Sequence, residues 1–215
     1  MAAAYYPVLL DLRGRPCAVI GGGAVAEGKV ARLLDAGGQV TIVSPSLTAQ
    51  LGAWARAGRV RHTARPYAAG DLAGQALAFV AVDDTSVAAA VAEEGRRLGV
   101  WVNAADDPAR CDFILPSVLR RGALTVAVST GGASPALARA IREDLEPRFA
   151  EDYAPLLEVV AEVRRELRAE SVRVPAAAWR RALDPELRRL IADGGGPAAK
   201  TWLRERLRSA PSAAA

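Results

Sequence analysis

The sequence predicts an α/β protein whose first half is a doubly wound parallel sheet, and three observations carry that reading. Short apolar runs alternate with helical stretches from Pro16 to Asn103, the rhythm of parallel strands covered on both faces. Glycines stand where one run gives way to the next, as in Gly21-Gly22-Gly23 and Gly37-Gly38. Beyond Asp152 the chain becomes rich in Arg, Glu, Leu and Ala at helical spacing. The expected organisation is therefore a Rossmann-like domain over residues 1–112, a short β-rich segment over 113–150 and a helical C-terminal domain over 151–215.

Each element has its own local reason. Cys17 to Ile20 reads as the first strand. Val25 to Ala36 follows as a helix, with Val30, Leu33 and Leu34 on one side and Gly37-Gly38 as its stop. Gln39 to Val43 is the second strand, Ser44-Pro45-Ser46 a turn, and Leu47 to Ala57 a short helix presenting Leu47, Leu51 and Trp54. Strands over Arg59 to Thr63 and Ala76 to Val82, a helix over Thr85 to Leu98 and a buried strand over Val100 to Asn103 complete the alternation. After Asp112 the rhythm changes to brief β-like runs at Phe113 to Pro116, Val118 to Arg121 and Leu124 to Ser129. Ser134-Pro135 then opens a helix reaching Glu146, since Ser caps well and Pro is tolerated at the first helical position. Leu156, Val159, Val160, Val163 and Leu167 recur at three- and four-residue steps, and Asp193-Gly194-Gly195-Gly196-Pro197 separates the last two helices.

Composition narrows the function. The 215 residues are 51% hydrophobic and 24% charged, enough apolar content for a buried core and too much for a disordered chain. The net charge of +4 divides evenly about residue 150 and contains no Lys/Arg block suited to counterion release along nucleic acid. Acidic small molecules remain suitable partners. Cys17, Cys111 and a single histidine, His62, exclude a disulfide framework, a four-thiolate zinc site and any two-histidine metal cluster, so no metal site is expected. The N-terminus has no charged lead before its apolar residues, and every apolar run falls well below the roughly 18 residues of a membrane span. A cytoplasmic protein, bound neither to membrane nor to nucleic acid, is the expectation.

Three motifs can carry chemistry. In Ala18-Val-Ile-Gly21-Gly22-Gly23-Ala24-Val25-Ala26, the positions Gly21, Gly23 and Ala26 fill G-x-G-x-x-A between a strand and a helix. Gly21 permits the tight turn, Gly23 lets backbone approach a pyrophosphate at the positive end of the helix, and Ala26 keeps helix and strand close. The acid that usually holds the adenosine ribose at the end of the second strand is missing. Ser44, Pro45 and Ser46 stand there, with a Ser hydroxyl or backbone groups in its place and no adjacent Arg for a 2′-phosphate, which favours NAD over NADP.

The second motif places Asp106 and Asp107 just beyond the carboxyl end of a core strand, where open α/β sheets bind ligands. A carboxylate there is either a proton acceptor or the start of an Asp-Pro turn. Asp83-Asp84, ending another strand, carries the same two readings. The third motif feeds Thr130, Gly131 and Gly132 into the helix capped by Ser134, an arrangement suited to a carboxylate or phosphate. Nearby Arg110, Arg120, Arg121, Arg139 and Arg142 either pair with substrate carboxylates or form a solvated face. Cys111 lacks a histidine near it in sequence and is not a nucleophile. Lys29 either leans toward a phosphate or serves solubility.

Residues 5–29, the Val102-Asn-Ala-Ala-Asp106 stretch running on to Ser117, and Val126 to Glu146 occur in the order and spacing of one family. The chain resembles the precorrin-2 dehydrogenases, some of which are also sirohydrochlorin ferrochelatases, over about residues 5–150. The resemblance implies a homodimer in which the central segment is the dimerisation element. It implies NAD-dependent oxidation of precorrin-2 to sirohydrochlorin, with Fe²⁺ or Co²⁺ as co-substrate in members that also insert metal. The family's essential aspartate falls on Asp106. Its cofactor contacts fall on the glycine turn through Ala24 and Val25 and on Pro45 and Ser46, and its substrate-cleft hydroxyl on Thr130, where relatives carry Ser. Gly131, Arg120 and Arg139 complete the expected substrate contacts to a polycarboxylate macrocycle. A nucleotide-sensing regulator without catalysis is the rival reading of the same glycine turn.

Overall fold

The computed structural model describes residues 5–105 and 107–209. They form two compact units: one runs to Leu115 and includes Gly131–Ala133, and the other comprises Pro116–Thr130 and the chain from Ser134 onward.

The first unit contains strands β1 (Pro16–Ile20), β2 (Gln39–Val43), β3 (Arg61–Thr63), β4 (Leu77–Val80) and β5 (Trp101–Ala104). All pairings are parallel, and the order is β3-β2-β1-β4-β5. The order reverses beside β1, which puts a topological switch between the carboxyl ends of β1 and β4. Helices α1 (Ala24–Asp35), α2 (Ala49–Arg56) and α3 (Thr85–Leu98) make the crossovers. The two-residue strand period sorts the core: Cys17, Val19, Val40, Ile42, Leu77 and Phe79 pack with α1 and Leu51. Their alternates Ala18, Ile20, Val43, Ala78, Val80 and Val102 pack with Val91 of α3. A sheet buried on both faces needs apolar residues at every position, which is why these strands read as continuous apolar runs.

The strand expected over Ala76–Val82 is shortened to Leu77–Val80 and that over Val100–Asn103 shifts to Trp101–Ala104, and two further expectations change for a visible reason. Arg59 is not in β3 because its N–H donates to the Trp54 carbonyl at 2.9 Å, closing the end of α2. Phe113 to Pro116 forms no strand. Asp112 instead brackets Val102, its N–H donating to the Val102 carbonyl and its carboxylate accepting from the Val102 N–H, both at 2.8 Å. Phe113 sets its ring edge-on to Phe79, with centroids 5.5 Å apart, and its carbonyl accepts from the Asn103 amide at 2.9 Å.

In the second unit, β6 (Ser117–Arg121) and β7 (Leu124–Val128) form an antiparallel hairpin against which α4 (Pro135–Leu145) packs. Ser134 caps α4 by accepting from the Leu137 N–H at 3.2 Å. Helices α5 (Tyr153–Ala169), α6 (Ala176–Ala182), α7 (Pro185–Ala192) and α8 (Gly196–Arg208) enclose their own core. Val159, Val163 and Leu167 supply one side of it, and Leu187, Ile191, Leu203 and Leu207 the other.

Helix α3 lies close to β5 because Gly95 faces it. A Cβ there would stand 2.4 Å from Val102 Cγ2 and 2.9 Å from the Val100 carbonyl oxygen. Alanine is the better helix former by about 1 kcal/mol, whereas overpacking against backbone costs about 1–3 kcal/mol, so the clash decides the sign. Gly95→Ala is expected to lower the denaturation midpoint in urea; a midpoint at or above that of the parent protein would show that the helix can shift away.

Candidate dinucleotide site

The carboxyl ends of β1, β2 and β4 are drawn together by backbone. Gly21 has φ +122°, and a Cβ on it would lie 2.3 Å from the Ala81 carbonyl oxygen. A Cβ on Gly22 would lie 1.9 Å from the Ser46 carbonyl oxygen and 2.8 Å from Ser44 Oγ. Gly23 differs: it is the N-cap of α1, offers no side chain to cap the helix, and has nothing within 4 Å of its Cβ position. Two glycines thus serve protein packing and the third leaves backbone open at the positive end of α1, the arrangement that suits a pyrophosphate. Ala26 is fully buried behind them, and Val25 is 56% exposed on the first turn. Sequence reasoning placed Gly21, Gly23 and Ala26 in these roles and missed the packing role of Gly22, whose only signal was a glycine at the unconstrained position of the motif.

The turn after β2 is locked to the glycine turn. Thr48 N–H donates to the Gly22 carbonyl at 2.9 Å, while Thr48 Oγ1 donates to Glu27 at 2.6 Å and accepts from the Leu51 N–H at 3.2 Å. Ser44 is buried, and its hydroxyl donates to the Ser46 carbonyl at 2.8 Å. That hydroxyl, a candidate partner for a ribose, is engaged inside the turn. Pro45 and Ser46 are the exposed residues there. His62 Nε2 donates to the Ser44 carbonyl at 2.9 Å, which fixes the tautomer. Lys29 holds its ammonium 5.3 Å from the centroid of the Phe79 ring, a third role beside the two expected.

At the end of β4, Asp84 caps α3 by accepting from the N–H groups of Ser86, at 2.8 Å, and Val87, at 3.4 Å. The Ser86 hydroxyl and these amides hold its carboxyl below the ordinary range. Asp83 is exposed beside it.

Asp106 lies outside the described residues. On its C-terminal side Asp107 pairs with Arg110, and Pro108–Arg110 forms one 3₁₀ turn. Cys111 Sγ donates to the carbonyls of Ala104, at 3.2 Å, and Asp107, at 3.3 Å. With the Asp112 bracket on Val102, the Cys111 bond to Ala104 ties the segment from Cys111 to Asp112 to β5. Burial pushes the Cys111 thiol up and the Cys17 thiol up to about 11, so both are protonated at neutral pH. Among the described residues no group of three His, Cys, Asp or Glu side chains can hold a metal ion, and no helix is long and apolar enough to cross a membrane.

The remaining candidates have local partners. Thr130 Oγ1 donates to the Ser134 carbonyl and accepts from the Ser134 N–H, both at 3.0 Å, closing the loop before α4. Gly131 is exposed within that loop at φ +64°. Arg120 is exposed on β6, and Arg139 pairs with Glu143 at 2.8 Å on the surface of α4.

The contrast between neighbouring glycines is testable. Gly23→Ala is expected to fold with parent-like stability and to weaken nicotinamide dinucleotide binding at least about tenfold, because its methyl enters open space at the helix end. Gly22→Ala is expected to lower the melting temperature, because its methyl meets a backbone carbonyl. Calorimetric titration and thermal denaturation check both; a Gly23→Ala protein with parent affinity would remove the pyrophosphate from this turn.

The comparisons agree with this architecture. The family described as putative NAD(P)-binding matches residues 8–117, and that described as sirohaem biosynthesis protein central matches residues 121–148. The siroheme synthase of Methylococcus capsulatus is 39% identical over 204 residues, covering 94% of this chain and 43% of the relative. That of Methylobacillus flagellatus is 42% identical over 158 residues, covering 74% of this chain and 34% of the relative. The chain thus spans less than half the length of these curated relatives. Among solved structures, SirC, precorrin-2 dehydrogenase, superposes with a TM-score of 0.73 at 25% identity, covering 94% of this chain and 100% of that one. With an NAD(P)-binding match over half its length, a sirohaem central match directly after it and a solved relative of the same extent, the chain belongs to the precorrin-2 dehydrogenase and siroheme synthase family.

Proposed function

We propose that the protein is an NAD-dependent precorrin-2 dehydrogenase that forms sirohydrochlorin in siroheme synthesis. The observation that carries this reading is the open backbone at Gly23, an uncapped helix end with room for a pyrophosphate beside a sheet edge. The nearly full-length likeness to SirC, precorrin-2 dehydrogenase, gives it a substrate. Gly21, Gly22, Gly23, Ala24 and Val25 form the pyrophosphate cradle, and Ser44, Pro45 and Ser46 form the ribose side of the site. NAD supplies a two-electron acceptor for the hydride that leaves the macrocycle.

Asp106, or a water it orients, takes the accompanying proton, so that hydride and proton together account for the two hydrogens removed. The position of Asp106 in the sequence, two residues past the end of β5, supports that role. Arg120, Arg139 and Gly131 receive carboxylates of the substrate. The surface pair of Arg139 with Glu143 is weak enough to exchange for a substrate carboxylate. Thr130 contributes by ordering the loop that presents Gly131. We assign a homodimer, supported by exposed Val118 on β6 and exposed Leu137 and Ile141 on α4. The two free thiols suit the reducing cytoplasm. Fe²⁺ is a co-substrate for a second step, for which the same Asp106 accepts pyrrole N–H protons.

The deciding measurement is NADH formation from precorrin-2 under anaerobic conditions. Asp106→Asn is expected to lose about 10²- to 10⁴-fold in turnover while keeping NAD affinity. Parent-level turnover in that variant would remove Asp106 from the reaction, and absence of NADH formation by the parent protein would end the assignment. Fe²⁺ with sirohydrochlorin, in the absence of NAD, is expected to give siroheme; no insertion would leave the dehydrogenase alone.

A further inference from the structure

The end of β2 lacks the acid that in dinucleotide sites binds the ribose and repels a 2′-phosphate. Hydroxyls are present there, and an arginine comes from the adjacent strand. The Thr63 carbonyl accepts from two amides at once, Ser44 N–H at 3.2 Å and Arg65 N–H at 2.9 Å, which sets the Arg65 backbone beside Ser44. An exposed serine, Ser46, and an arginine whose backbone adjoins Ser44 are residue types that recognise a phosphate monoester. By that inventory the site would accept NADP.

The guanidinium is, however, occupied. Arg65 Nη2 donates to Asp71 Oδ1 at 2.6 Å and Arg65 Nη1 to Asp71 Oδ2 at 2.8 Å, a bidentate fork. Asp71 is mostly buried and its Oδ2 also accepts from the Ala68 N–H at 2.9 Å. The fork and that amide hold its carboxyl below the ordinary range.

We propose that Asp71 is the residue that selects NAD over NADP, by engaging and neutralising Arg65, the cation whose backbone adjoins Ser44. The acid missing from β2 is supplied from the loop between β3 and β4. This rests on the reading of the β2 end as the ribose side of a dinucleotide site. Discrimination of this kind is built against the wrong ligand and contributes little to binding of the right one.

The loop does not depend on Asp71 for its position. Tyr67 donates its hydroxyl to buried Glu94, Gly70 N–H donates to the other Glu94 oxygen at 2.7 Å, and Leu72 is fully buried. Asp71→Asn keeps an oxygen for the Ala68 amide, removes the charge and breaks the fork, leaving Arg65 with its Nη1 bond to the Pro66 carbonyl at 2.9 Å and an unneutralised charge.

Calorimetric titration of the protein with NAD and with NADP at one ionic strength tests the proposal. Asp71→Asn is expected to tighten NADP binding roughly tenfold or more, the value of a charge-assisted hydrogen bond, with NAD affinity within about twofold of the parent. Adding Arg65→Ala to that variant is expected to abolish the gain. An unchanged NADP to NAD affinity ratio in Asp71→Asn, or a gain that survives Arg65→Ala, would overturn the proposal while leaving the dehydrogenase reading intact. Failure of the parent protein to bind either dinucleotide would overturn both.

Discussion

Between the carbonyl of Ser46 and the α-carbon of Gly22 there is no room for a methyl group, and the dinucleotide edge of the protein is arranged around that contact. Once these two pieces of backbone touch, the Thr48 amide reaches the Gly22 carbonyl and the Thr48 hydroxyl reaches Glu27 on the first turn of α1. The turn after β1 and the turn after β2 become one body. Glu27 is stabilised near the amino end of its helix as well as by Thr48, so the tie reinforces the orientation of α1. Gly21, pressed on Ala81, attaches the same body to the end of β4. The open amides at Gly23 are therefore presented by a frame that does not need a ligand to form it, which is the condition for binding without a large ordering cost.

The first unit was largely legible because its signals are local. Five apolar runs, glycine stops and the Thr85 helix start all depend on neighbours in sequence, and β2 and α3 fall on their expected bounds. The failures occur where a specific hydrogen-bond partner, and not composition or period, decides. Phe113 to Pro116 has strand-like composition, yet Asp112 meets Val102, ten residues away, and draws that segment along β5. No periodicity contains the information that a carboxylate will stand in for a ladder partner. Thr130 was legible as a residue of the third motif but not in its action, because its hydroxyl turns back on Ser134 four residues later.

The same division runs through the candidate site. Gly21, Gly23 and Ala26 follow from a motif whose spacing is itself the geometry. Gly22 does not, since its constraint comes from Ser46, on a different turn. Ser44 was a candidate for its hydroxyl, and the burial that makes it a brace became visible only with β2 flanked by β1 and β3. The arginine and acid of the proposed selectivity, Arg65 and Asp71, lie far beyond the glycine motif in sequence, and Arg65 comes beside Ser44 only through the parallel register of β2 and β3.

That register explains why the end of β2 can lack an acid while a carboxylate still acts nearby. In a parallel sheet, residues just past neighbouring strand ends lie side by side, as the Ser44 and Arg65 amides do at the Thr63 carbonyl, and an acid farther along the β3 loop acts there through the arginine it holds. A carboxylate on β2 would contact the ribose directly. One on the β3 loop acts through the arginine it holds, by denying that cation to a second anion. The two solutions differ in what they ask of the fold: the first needs only a side chain, the second needs the loop between β3 and β4 to be fixed. The burial of Glu94, satisfied by Tyr67 and Gly70, meets that need. A polar side chain that looks misplaced in a helix core is thus what gives the electrostatics at the sheet edge a defined geometry.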